Sequence, residues 1–213
     1  MSAGFDPGTG LGPRLRLARD ERQLSVRELA RRIGCSASLI SQIERGVSVP
    51  SVGVLYSLAT ELDSSLDHLL FGADPRRPAP VSEPAAREPA AGEPESGPGI
   101  VQRAGARNII DLASGVRWER LTPGADAMTD FLEVIYSPGG HSTDERRPLR
   151  HDGREYGLVI SGTLQANVGF ESYELGAGDS IAFDSSVPHE YLNKTGEPVH
   201  AIWVVVHSEP GRA

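Results

Sequence analysis

Cysteine is nearly missing from this chain of 213 residues. The single Cys35 excludes a disulfide framework and a cysteine-based zinc site, which fits a reducing compartment. Long apolar runs are missing as well. The first ten residues, MSAGFDPGTG, hold no basic stretch followed by an apolar one, and the longest late run, AIWVVV at 201–206, is far below membrane-spanning length. These absences predict a soluble cytoplasmic protein with no membrane partner.

An excess of basic charge is also lacking, since the formal net charge is -8. The acidity is unevenly spread. Residues 1–72 hold 8 arginines against 8 acids, residues 73–99 hold 3 against 5, and residues 100–213 hold 10 basic against 16 acidic groups. A neutral N-terminal part can still bind DNA if its arginines share a face. Residues 73–99 lack aromatics altogether and contain 7 of the 16 prolines, with Val81 as their one β-branched side chain. Such a Pro/Ala-rich segment buries too little apolar surface to offset its ordering entropy, so it is expected to be a disordered linker.

What remains divides into two patterns. Before the linker the apolar spacing is helical: Val26, Leu29, Ala30 and Ile33 follow i, i+3, i+4, i+7, as do Leu55, Leu58, Ala59 and Leu62. After it come short runs rich in Val, Ile, Tyr and Phe, such as FLEVIY, YGLVISG and HAIWVVV, separated by glycine turns. That pattern predicts an antiparallel sandwich or barrel.

In the helical part, Ser25 and Glu28 have capping-box spacing, so a helix is expected to start there and to stop at Gly34. Ser36 can cap the next helix, SASLISQIER, which ends before Gly46. Two short helices joined by a tight glycine turn make a helix-turn-helix. On a wheel of about 100° per residue, Ala37, Ile40, Ile43 and Glu44 share one side of the second helix, and Ser38, Ser41, Gln42 and Arg45 share the other. That polar side carries no carboxylate, as a surface facing phosphates requires, and glutamine and serine can bond base edges. Arg27, Arg31 and Arg45 are candidates for backbone phosphates. Cys35 reads as a small turn residue rather than a redox sensor, because no neighbour would clearly lower its pKa.

The run from Leu24 to Gly72, with I-S-x-I-E-R-G after a glycine turn, resembles the five-helix repressor family of phage repressors and their bacterial relatives over residues 11–72. The resemblance implies that residues 36–45 form the recognition helix, with Ser36 at its start and Ala37, Ser38, Ser41 and Gln42 toward the bases. It also implies that Arg19 and Glu44 form a buried structural pair.

Residues 138–193 resemble the cupin family, a double-stranded β-helix barrel. The first motif of that family is His-x-His, three residues, Glu, six residues and Gly. Here it runs Leu149-Arg150-His151, then Glu155 and Gly162, so the spacing is kept while leucine stands in place of the first histidine. Gly178, His189 and Asn193 fit the second motif, and Asp184 and Ser186 replace its proline and glycine. Strand alternation lets His151 and Glu155 face the barrel interior together, with His189, Tyr191 and Asn193 on another strand. Two imidazoles and a carboxylate can hold a divalent metal, iron or zinc. Three readings stay open: a small-molecule pocket without metal, a metal used structurally or to capture ligand, and a catalytic metal. Arg150, Tyr156, Tyr191 and Trp203 are further pocket candidates, and His141 is taken as a surface histidine.

The expected fold is α+β in two domains: a five-helix helix-turn-helix domain at 11–72, the linker at 73–99, and a cupin barrel at 100–208. This plan resembles bacterial transcription regulators in which the cupin senses a small-molecule effector and the head binds a double-stranded DNA operator as a homodimer. The alternative is a mononuclear non-haem iron enzyme like the hydroxypropylphosphonate epoxidases, which share the plan and the His-x3-Glu plus later His set. The acid-free helix face favours the regulator over an enzyme.

Overall fold

In the computed structural model, the described residues are 10–64, 66–72, 100–124, 126, 128–143 and 148–207. The expected linker at 73–99 lies outside them. Five helices come first: α1 (Leu11–Glu21), α2 (Val26–Ile33), α3 (Ala37–Glu44), α4 (Val52–Leu62) and α5 (Leu66–Phe71). Three of them start on a serine whose hydroxyl accepts the backbone amide three residues on, one of the first-turn amides that have no partner within the helix: Ser25 from Glu28, Ser36 from Leu39, and Ser51 from Val54. Helix α2 ends on Gly34 at φ 74°, the left-handed conformation that glycine adopts at least cost. The capping box is only half formed. The Glu28 carboxylate turns away from the cap to Arg31 (2.7 Å) and Arg32 (2.8 Å).

Leu15, Leu29, Ile40, Leu55, Leu58 and Leu69 fill the head's core. Helices α1 and α3 meet backbone to backbone, because a Cβ at Gly12 would lie 2.6 Å from the Glu44 carbonyl. Beside that contact Arg19 grips Glu44 with two bonds, Nε to Oε1 at 2.6 Å and Nη2 to Oε2 at 3.1 Å, both side chains 9% exposed. The pair is the structural one expected, and it takes the only acid of α3 out of the solvent-facing surface.

Among the described residues the second part has nine strands: β1 (Ile109–Leu112), β2 (Val116–Arg120), β3 (Thr129–Tyr136), β4 (Arg154–Ser161), β5 (Leu164–Val168), β6 (Glu171–Leu175), β7 (Ser180–Asp184), β8 (His189–Leu192) and β9 (Val199–Val206). They form a sheet of order β1-β2-β3-β9-β4-β7 and a second of order β6-β5-β8, every pair antiparallel. Alternation decides what faces inward. On β4, Glu155, Gly157 and Val159 are buried while Tyr156, Leu158 and Ile160 are exposed, and on β9 Val199, Ala201, Trp203 and Val205 are buried. Gly157 leaves room for its cross-strand partner, since a Cβ there would meet the Trp203 ring at 2.5 Å.

The two parts share one apolar core. Helix α4 lies against the barrel mouth, where the Gly53 amide donates to the Ser142 carbonyl (3.2 Å) and the Ala113 amide to the Pro50 carbonyl (3.2 Å). Val52 and Tyr56, one helical turn apart on α4, are buried there. No helix among the described residues is long and apolar enough to cross a membrane.

Candidate functional site

Strand β4 and the segment before it bring His151 and Glu155 to the barrel interior, and β8 brings His189. One ligand atom from each of the three lies within 4.8 Å of the others. His151 Nε2 is 2.7 Å from Glu155 Oε1, and His189 Nε2 is 3.0 Å from the same oxygen without hydrogen-bond alignment. The other carboxylate oxygen, Oε2, accepts from Tyr191 Oη and from Trp203 Nε1, each at 2.6 Å. Glu155 is thus fully bonded at 2% exposure. Burial alone would raise its carboxyl, but the contacts from His151 and His189 outweigh that and hold it well below the usual carboxylate range.

The histidine tautomers bear on what this cluster can hold. The Nδ1 atoms face carbonyl oxygens, Asp152 at 3.3 Å for His151 and Val187 at 2.9 Å for His189. A carbonyl only accepts, so each Nδ1 is placed to carry a proton, and a ring that is neutral in that tautomer turns its Nε2 lone pair toward an ionised carboxylate oxygen. Three electron-pair donors converging in a buried space require positive charge among them, supplied by a second proton on a ring or by a cation. A ring fixed through Nδ1–H to a carbonyl is also how metal-binding histidines are oriented. The donor set therefore fits a divalent ion such as iron or zinc.

Leu149, where the resemblance leads one to expect a histidine, is 6% exposed and exchanges both backbone bonds with His189. Its side chain reaches toward α4, with Cδ2 3.3 Å from the position of a Cβ on Gly53. The place of the missing ligand belongs to the contact between domains.

Tyr191 and Trp203 are in the pocket as expected, but Arg150 and Tyr156 are not. Arg150 is exposed and donates to the Ser186 carbonyl (2.9 Å), because it neighbours the inward His151 and so points the other way. Tyr156 follows the inward Glu155 and lies on the outer face, 45% exposed, with the Arg154 guanidinium 5.7 Å from its ring centroid. Asn193 is structural: its amide donates to the carbonyls of Tyr136, Ser137 and Glu197. His141 is half-buried, pairs with the Thr143 carbonyl, and lies outside the three-residue cluster.

The motifs alone miss most of the pocket wall. Val52, Tyr56 and Trp118 line the cavity with Leu149, Glu155 and Tyr191, and the space among them is about 20 Å³. Tyr56 stacks on His151, with ring centroids 4.3 Å apart and planes at 6°, and meets Trp118 edge-on at 5.9 Å. A signal was present in the sequence. Val52 and Tyr56 widen the apolar face of α4 beyond the stripe that a small helical domain needs for its own core.

On the helical side, Arg27, Ser36, Ser38 and Arg45 are exposed, and Ala37, Ser41 and Gln42 are half-buried. The Ser36 hydroxyl is engaged in capping (3.1 Å), and Ala37 packs against the core. Gln42 Nε2 lies 3.4 Å from Ser38 Oγ, and Arg45 bonds the Ser41 hydroxyl. Arg31 and Arg32 are engaged by Glu28, whose carboxyl their hydrogen bonds lower to about 2. Burial pushes the Cys35 thiol up, which opposes thiolate chemistry at the turn.

Residues 15–69 match the helix-turn-helix family, and residues 132–205 match the cupin domain family. The chain is 28% identical over 189 residues to the HTH-type transcriptional regulator PuuR of Escherichia coli (strain K12), covering 88% of this chain and 90% of that protein. It is 49% identical over 49 residues to the uncharacterized HTH-type transcriptional regulator y4dL of Sinorhizobium fredii, covering 23% of this chain and 25% of that protein. The crystal structure of an HTH_3 family transcriptional regulator from Vibrio cholerae superimposes with a TM-score of 0.64 at 23% identity, covering 96% of this chain and 98% of that one. That likeness shows the fold, a helix-turn-helix domain with a cupin barrel.

Proposed function

We propose that this chain, which joins a helix-turn-helix domain to a cupin domain, is a sequence-specific DNA-binding regulator of transcription whose barrel binds a small-molecule effector. The observation that carries the reading is the placement of Glu44. The one acid of α3 is drawn inward by Arg19, and Ser38, Ser41, Gln42 and Arg45 are left as an acid-free face. A surface so arranged can approach a phosphate backbone without repulsion. Its name gives PuuR, alike over most of both chains, the same role.

In this reading Gln42 and Ser38 reach base edges, with Ser41 and Ala37 beside them. Arg27 and Arg45 contact phosphates, and Ser36 presents the amides of the helix start. Pairing of two chains would present two α3 helices to half-sites about one helical turn, roughly 34–36 Å, apart. The outer face of β4 and β9 supports a homodimer, since Tyr156, Leu158 and Ile160 stand exposed beside Ile202 and Val204. His151, Glu155 and His189 would hold a divalent ion, which when bound supplies a Lewis-acid point for a chelating or anionic effector. The three donors also match those of mononuclear non-haem iron enzymes, which keeps an oxygenase as the second reading.

Binding of the purified protein to DNA from its own promoter region, against random DNA at matched salt, tests the proposal. A clear preference is expected. Equal affinity for both overturns the regulator reading.

A further inference from the structure

The barrel mouth is closed by a side chain of the other domain. Tyr56 is 8% exposed, yet its ring contacts are with the barrel: the stack on His151 and the edge contact with Trp118. An ordinary core tyrosine would pack among the helices of its own domain. With Tyr56 in place the remaining space, about 20 Å³, holds one water. Pockets that take organic ligands measure roughly 300–1,000 Å³. An effector therefore cannot enter the interior while α4 is docked.

The position it would take is already shaped. A phenol ring lies flat on an imidazole that belongs to the His–Glu–His cluster, with an indole against its edge. Leu149 and Gly53 complete the seal at the point where the resemblance leads one to expect another histidine.

We propose that Tyr56 is a built-in competitor for the barrel site: a planar aromatic or heteroaromatic ring of about phenol size binds on His151 only when Tyr56 withdraws, so barrel occupancy and docking of α4 exclude each other. This deepens the regulatory reading and rests on it for its consequence. Helix α4 is joined to α3 by the short loop 45–51, so release of α4 lets the head that carries α3 move relative to the barrel. A ligand that binds only the undocked form shifts the population toward it, which requires no signal through the linker.

The full-length protein is titrated with 4-methylphenol, the tyrosine side chain as a free molecule. Two readouts are used. Trp118 and Trp203, the only two tryptophans, both line this cavity, so intrinsic fluorescence reports its occupancy. Amide exchange at Gly53 and Ala113 reports docking. Tyr56→Ala is expected to bind the probe about tenfold tighter or more, because a tethered competitor acts at an effective concentration in the millimolar range. Tyr56→Phe keeps the ring and should behave as wild type. Gly53→Leu keeps Tyr56 but pushes α4 off Leu149, and should tighten probe binding as Tyr56→Ala does. Saturating the wild type should speed exchange at Gly53 and Ala113.

Equal probe affinity in wild type, Tyr56→Ala and Gly53→Leu overturns the proposal, as does probe binding that leaves exchange at Gly53 unchanged. If Tyr56→Ala fails to fold, Gly53→Leu decides. Operator binding measured in parallel separates the two readings. Loss of sequence preference in the wild type removes the regulator and leaves the competitor standing, whereas a normal preference with identical probe affinities removes the competitor alone.

Discussion

Tyr56 and His151, which come from different domains, lie face to face with ring centroids 4.3 Å apart. Two domains that share a buried stack and a continuous apolar core should unfold together. Calorimetry of the wild type is expected to give a single transition, and Tyr56→Ala is expected to split it into two. Two transitions in the wild type would show that the docked arrangement contributes little.

Gln42 on α3 and Arg45, which caps its end, are three residues apart but are assigned different partners. Gln42→Ala should relax discrimination at one base position at a cost of about 1–3 kcal/mol, while Arg45→Ala should weaken all sequences alike. Binding titrations on a set of operator variants check this. Equal losses on every variant for Gln42→Ala would remove it as a base reader.

Arg19 and Glu44 are each 9% exposed, so removing either strands a charge. Arg19→Ala should cost about 3–5 kcal/mol by chemical denaturation, the range for breaking a buried pair. A loss below about 1 kcal/mol would place the pair among solvated surface bridges.

At Gly157 there is no room for even a methyl group, with the Trp203 ring 2.5 Å from where it would sit. Gly157→Ala should cost about 1–3 kcal/mol by overpacking. It should also shift the Trp203 indole off Glu155, which near-ultraviolet circular dichroism would register. An unchanged spectrum would show that the sheet, not the ring, gives way.

His151, Glu155 and His189 predict metal content directly. Protein purified without chelator should carry iron or zinc near one equivalent per chain, and His151→Ala should lose most of it, since a two-donor remnant binds weakly. Elemental analysis decides. Equal metal content in the two proteins would leave an organic ligand as the occupant of the site.

Much of this molecule was legible in its sequence because local chemistry writes it there. Serines at helix starts, Gly34 after a helical stripe, and the two-residue rhythm of β4 and β9 fix elements and facing before any long-range contact forms. The cluster His151, Glu155 and His189 was legible through motif spacing. Alternation along the strand could also have excluded Tyr156, since it neighbours Glu155, and the same parity places Arg150 opposite His151. What spacing could not give was the partner of α4. A helix surface records that it is apolar, not what it meets, so Val52 and Tyr56 announced a second contact without naming the barrel. The Glu28 carboxylate illustrates the same limit, as two nearby guanidinium groups won it from the cap.

The ties between Gly53 and Ser142 and between Ala113 and Pro50 run main chain to main chain. No change of side chain deletes such a bond directly, so the seating of head on barrel can outlast wide drift in the surrounding residues. Proline is the exception, having no amide hydrogen to give. At positions 53 and 113 it would cut the joint while leaving every charge and every pocket residue in place.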